Sequence, residues 1–96
     1  MTRYLSLISY TDHGIREVKD SVNRAHAFQS LVEAAGGRVN ATFWAVGEKD
    51  GAIIFEVPDE DTGAQMLLKL ADQGFVRTQT MRVYDEPEFA AILAGV

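Results

Sequence analysis

Residues Arg38–Val57, RVNATFWAVGEKDGAIIFEV, decide the fold of this 96-residue chain. From Arg38 onward, Val39, Ala41, Phe43 and Ala45 fall on one parity, and Arg38, Asn40, Thr42 and Trp44 on the other. A period of two marks a strand with one buried face, so the first set is expected to face a core and the second, apart from the large ring of Trp44, to be wetter. From Ala52 to Val57 the chain is apolar on both parities until Glu56, as expected of a central strand covered on both sides. Gly47, Glu48, Lys49, Asp50 and Gly51 lie between the two runs. That is turn chemistry: glycine takes positive φ freely, and aspartate bonds its own backbone. The stretch reads as a β-hairpin in the middle of a domain.

Working outward, Gly36-Gly37 precedes the hairpin and stops a helix that begins at Asp20 or Ser21 and runs to about Ala35. Its apolar positions Val22, Ala25, Phe28, Leu31, Val32 and Ala35 recur at helical spacing. Before it, Arg3 to Tyr10 alternates Leu5 and Leu7 against Tyr4, Ser6 and Ile8, which predicts a first strand. Thr11 or Asp12 then caps a short helical turn reaching Val18. After the hairpin, Pro58 interrupts the strand, and Asp59-Glu60-Asp61 places negative charge at the start of a helix ended by Gly74. Phe75 to Tyr84 is expected to be a fourth strand, and Asp85 with Glu88 has capping-box spacing ahead of a terminal helix carrying Phe89, Ile92 and Leu93.

The order is βαββαβ plus a C-terminal helix. Its economical solution is an α+β, ferredoxin-like fold: one four-stranded antiparallel sheet with helices on one face, in a single domain over residues 1–96. The other face of such a sheet is expected to carry Trp44, Tyr4, Ile8, Ile54 or Ile53, and Tyr84. That set is too apolar for water alone, which predicts a homodimer or higher homo-oligomer formed sheet to sheet.

Composition narrows the function classes. The chain has no cysteine, which excludes disulfides, thiolate chemistry and cysteine-based metal sites. A net charge of -5, with the arginines scattered along the chain, argues against nucleic acid as a partner. No run approaches the roughly 18 apolar residues a membrane span needs, and no signal peptide is evident, so the expectation is a cytoplasmic protein with no membrane partner.

Three blocks, TDHGIREVKDS, GGRVNATFWAVGEKDGAIIFEVPDE and VRTQTMRVYDEPEF, fall in order along nearly the whole chain. Together they resemble the GYD-domain family of small bacterial proteins. That resemblance implies a ferredoxin-like fold of the dimeric α/β-barrel type, and it implies no settled biochemical role. The family's Gly-x-Tyr-Asp motif maps onto Gly47-Glu48-Lys49-Asp50, with Lys49 at the tyrosine position. A flexible cation thus replaces the ring and hydroxyl of that tyrosine, whereas Gly47 and Asp50 keep the turn chemistry.

The named catalytic motifs are absent: there is no Walker loop, no His-Glu-x-x-His, and no serine elbow. His13 follows the first strand beside Asp12, either as a base or ligand supported by that carboxylate or as an exposed capping residue. His26 lies near the edge of the helical apolar stripe, packed and hydrogen-bonded or aimed at a cavity beneath the helix. Two histidines and no acidic cluster of suitable spacing predict no metal site and no cofactor. Glu48 and Asp50 form a carboxylate pair in the turn, solvated or folded over a cleft as acid and base. Glu56, inside an apolar strand, needs a partner if buried, and Arg38, Arg77 and Arg82 are the candidates.

Tyr10, Phe43, Trp44 and Phe55 could line a pocket for a small apolar or aromatic molecule, or belong to core and dimer interface. The ligand-binding candidates are therefore Tyr10, His26, Trp44, Glu48, Asp50 and Glu56. The functional expectation is a homo-oligomeric module that binds a small molecule or a partner protein. The alternatives are a cofactor-independent monooxygenase- or isomerase-like enzyme, and a structural or assembly protein without a ligand.

Overall fold

The computed structural model describes residues 1–96 as β1 (Thr2–Tyr10), α1 (Asp12–Arg16), α2 (Ser21–Ala34), β2 (Arg38–Trp44), β3 (Gly51–Val57), α3 (Glu60–Asp72), β4 (Val76–Val83) and α4 (Glu86–Leu93), with a 3₁₀ turn at Val18–Asp20. Local chemistry sets most of these boundaries. Thr11 and Asp59 start α1 and α3 by accepting the backbone N–H of Gly14 and of Thr62, and Asp85 and Glu88 form a reciprocal capping box on α4. Gly36 ends α2 at a φ of 87°. Its N–H donates to the Glu33 carbonyl and that of Gly37 to the Val32 carbonyl, the paired bonds of a Schellman motif.

The strands form one sheet in the order β2-β3-β1-β4, with every neighbouring pair antiparallel. Each β-α-β connection steps over one strand, which makes the arrangement ferredoxin-like. The expectation of a dimeric α/β-barrel type is corrected by this topology. The sheet is open, with β2 and β4 as its edges, and it does not close into a barrel. Closure requires the outer strands to pair with matching tilt and stagger, and these four strands leave them on opposite sides.

Helices α2 and α3 pack on one face of the sheet around Phe28, Val32, Met66 and Leu70 from the helices and Ile8, Ile53, Phe55, Val57 and Val76 from the strands. The Phe28 ring meets Phe55 edge-on at 5.6 Å. Tyr4 and Ile8 therefore face the helices, not the open face expected of them, and of the pair Ile53 and Ile54 it is Ile54 that lies on the open face. A register shift between Val39 and Ala41 changes β2 as well. Asn40 is the extra residue of this bulge, and beyond it Thr42 and Trp44 fall on the helix side opposite Ile53 and Gly51, while Ala41 and Phe43 fall on the open side. The open face consequently presents Leu5, Leu7, Ala41, Phe43, Ala52, Ile54 and Met81. It is still apolar, with a different membership. No residue of α4 is buried, and Phe89, Ile92 and Leu93 remain about half exposed.

Candidate functional site

A cleft opens between the helix side of the sheet and the helices, where the C-terminal ends of β1 and β2 meet the N-terminal ends of β3 and β4. Its enclosed volume is about 60 Å³, and about 550 Å³ including the unfilled space at its mouth. The enclosed part is well below the roughly 300 Å³ at which drug-sized ligand sites begin, so it admits a small group or the edge of a ring. Ile8, Phe28, Ile53, Leu70 and Val76 give it an apolar floor, and Trp44, 50% exposed, stands on its β2 side.

The polar groups converge from β1, α2 and the hairpin. Asp50 closes the turn onto β1: its N–H donates to the Ile8 carbonyl at 2.8 Å, and its Oδ2 accepts the Tyr10 N–H at 2.7 Å. The aspartate thus bonds a backbone group 40 residues away, not its own backbone. The turn also works without positive φ, which occurs only at Gly36 and Gly74. Gly51 is required for another reason, since a side chain there would collide with the Phe43 carbonyl across the hairpin.

On the α2 side, the Ser21 hydroxyl donates to the Val18 carbonyl at 2.7 Å and lies 2.7 Å from the Tyr10 hydroxyl. Arg24 donates through Nη2 to Ser21 Oγ at 3.2 Å and through Nη1 to the Glu17 carbonyl at 2.9 Å. Its guanidinium lies 4.4 Å from the centre of the Phe75 ring, on which His13 also stacks at 4.7 Å. The arginine side chain is only 13% exposed, packed over an aromatic ring.

Of the residues anticipated from sequence, Tyr10, Trp44 and Asp50 meet at this cleft. His26 is exposed on α2 and Glu48 is exposed in the turn, and neither lines it. Ser21, Arg24 and Phe75 were missed. Their signal was present in the helix: Ser21, Arg24, Ala25 and Phe28 stand at i, i+3, i+4 and i+7, so a serine and an arginine occupy the stripe that faces the sheet.

Glu56 lies on the opposite side of the sheet, 3% exposed. Strand register puts Arg3 and Arg38 directly across from it on β1 and β3's other neighbour β2, so the three form one row. Arg38 Nε and Arg3 Nη2 both donate to the Glu56 carboxylate, Arg3 at 2.5 Å, and Arg3 also reaches Glu88 on α4 at 2.5 Å. Arg38 was foreseen as a partner, but Arg3 takes the second place and not Arg77 or Arg82. The Arg38 bond, then that of Arg3, holds the Glu56 carboxyl below its ordinary value against the opposing effect of burial. Glu88 is likewise held low, by the Asp85 backbone N–H first and Arg3 second. On the helix side, burial pushes the Tyr4 hydroxyl up, with Glu60 adding to it. No three acidic or histidine side chains gather where they could hold a metal ion. No helix is long and apolar enough to cross a membrane.

The open sheet with two crossover helices and a cleft at one end defines a small ferredoxin-like α+β domain. Residues 4–93 match the GYD domain model, and the chain belongs to the GYD domain family. Among solved structures it is similar to the protein TTHA0845 from Thermus thermophilus, at 17% identity and a TM-score of 0.54 over 88% of this chain and 95% of that one. At that identity the likeness extends to the fold. No curated protein matches the sequence.

Proposed function

We propose that this GYD domain is a homo-oligomeric binding module whose cleft takes a small, flat, largely apolar molecule. The observation that carries the reading is the convergence of an apolar floor, the Trp44 ring and the side chains of Tyr10, Ser21, Arg24 and Asp50 on one partly enclosed space. A few placed polar groups in an apolar concavity are the general form of a small-molecule site. The open face supports the oligomeric part. Phe43 is 61% exposed beside Leu7, Ala52 and Ile54, a contiguous apolar surface that a second copy of the sheet would cover.

Native mass spectrometry of protein purified from its own host tests both parts at once, since it reports subunit number and any retained molecule. A multimer carrying a small added mass is the expected result. A bare monomer would overturn the proposal. Phe43→Asp, which places a charge in the middle of the open face, should shift the mass toward monomer without unfolding the chain.

A further inference from the structure

Resting on the cleft reading above, we infer that the ligand is a flat monoanion, an aromatic carboxylate or its equivalent, whose acidic group is received by Arg24. The direction of the hydrogen bonds carries the argument. Ser21 spends its hydroxyl hydrogen on the Val18 carbonyl. The 2.7 Å contact between the Tyr10 and Ser21 hydroxyls must then be donated by Tyr10. Both of these hydroxyl hydrogens are committed within the protein, so the side-chain donors left on the lining are those of Thr42, Trp44, Gln73 and Arg24, of which only Arg24 is charged. Arg24 is different: a guanidinium has five N–H groups, and the bonds to Glu17 and Ser21 use two of them.

Charge balance points the same way. Arg24 is largely buried, yet its nearest carboxylate, Asp20, stands at 3.9 Å and is 58% exposed, with Oδ1 already accepting from Asn23. A cation withdrawn from water and only distantly paired favours an anion that enters the same low-dielectric space. The Phe75 ring under the guanidinium and the bonds to Glu17 and Ser21 hold it in place, so the remaining donors need little ordering on binding. Asp50 sets the upper limit on ligand charge. It lines the same cleft, so a second acidic group would meet a carboxylate already present. The enclosed volume of about 60 Å³ sets the limit on size, with the ring seated toward Trp44 at the mouth.

Trp44 is the only tryptophan, so its indole N–H gives one resolved signal in a ¹H–¹⁵N correlation spectrum. The test titrates the intact protein with benzoate, benzamide and benzylammonium, three probes with one aromatic ring, similar size and three charges. Benzoate should shift the Trp44 signal saturably and bind at least about tenfold more tightly than benzamide, the factor expected of a charge-assisted hydrogen bond. Benzylammonium should bind weakest. Arg24→Met should remove the preference for benzoate. Equal binding of benzoate and benzamide, or tighter binding of benzylammonium, overturns the inference and leaves the cleft reading standing. If none of the three shifts Trp44 saturably, the cleft reading itself falls, and the inference with it. The comparison among probes on the unmodified chain decides the matter even if Arg24→Met does not fold.

Discussion

Glu56→Gln removes one charge from the row Arg3, Glu56, Arg38 while keeping the size of the side chain. Removing one member of a buried ion pair commonly costs about 3–5 kcal/mol, because the remaining charge stays buried without a partner. The structure places this case below that range. Arg38 is 67% exposed and can return to water, and Arg3 keeps Glu88. About 2 kcal/mol is the expected loss, with the amide oxygen still accepting from one arginine while the other, facing the amide NH2, turns to water or to Glu88. For a domain of this size that is a fall in Tm of about 8–16 °C at fixed protein concentration. The pH dependence is the sharper readout. Glu56 titrates below its ordinary value of 4.5 in the folded chain, so its stabilisation is complete above that pH. It is lost as the pH falls through the lowered folded value, where the native carboxylate finally takes up its proton. Thermal melts from neutral to acid pH should therefore show a wild-type Tm that drops steeply below about pH 4.5 and a Glu56→Gln Tm that starts lower and drops less. Parallel acid profiles, or a Tm within a degree or so of wild type at neutral pH, would refute the assignment of Glu56 as the centre of a stabilising ion cluster.

Three other substitutions probe the frame around the cleft. Asp50→Ala leaves the Tyr10 N–H without its acceptor and should cost about 1–2 kcal/mol in urea unfolding, together with a shift of the Trp44 indole signal as the hairpin loosens over the cleft. Gly14→Ala drives a methyl group into the Phe75 backbone carbonyl, and denaturant titration should show a loss of about 3 kcal/mol, well above the roughly 1 kcal/mol of a helix propensity effect. Asp85→Ala breaks the capping box of a helix that buries no residue. It should therefore lower helical signal and amide protection in α4 while leaving the global Tm within about 2 °C, and an equal loss of Tm would show that α4 is part of the cooperative core.

Local signals were readable from sequence. The Gly36-Gly37 stop, the cap at Thr11 or Asp12, the acidic start of α3 and the Asp85–Glu88 capping box each act on backbone groups within a few positions, so the signal and its target lie together in the chain. The partners of Glu56 show where local reading runs out. Arg38 shares a hairpin with it, whereas Arg3 reaches it only because the register of β1 on β3 sets them opposite one another 53 positions apart. The faces of β1 were equally closed to inspection. Tyr4 and Ile8 alternate with Leu5 and Leu7, so both parities are apolar, and only the helices that arrive later in the chain decide which set becomes core. The cleft was half legible for the same reason: its aromatics announced themselves by size, and its cation was hidden among helix residues that composition alone assigns to solvent.

The bulge at Asn40 ties these observations together. With unbroken alternation from Val39, Phe43 would point toward the helices and Trp44 toward the open face. The cleft would lose its indole, and the sheet would exchange one exposed ring for another. One unpaired residue reverses both assignments. It also leaves Arg38, which precedes the bulge, in register with Glu56, so the ion row and the cleft are set on opposite sides of the same strand. After Arg38 and Arg3, Asn40 also acts to hold the Glu56 carboxyl low, so the inserted residue sits beside the ion row. The face on which Trp44 falls thus depends on one residue inserted beside the ion row. Asn40→Ala should disturb the Trp44 indole signal although residue 40 does not line the cleft, and an unchanged signal would show that backbone twist alone maintains the register shift.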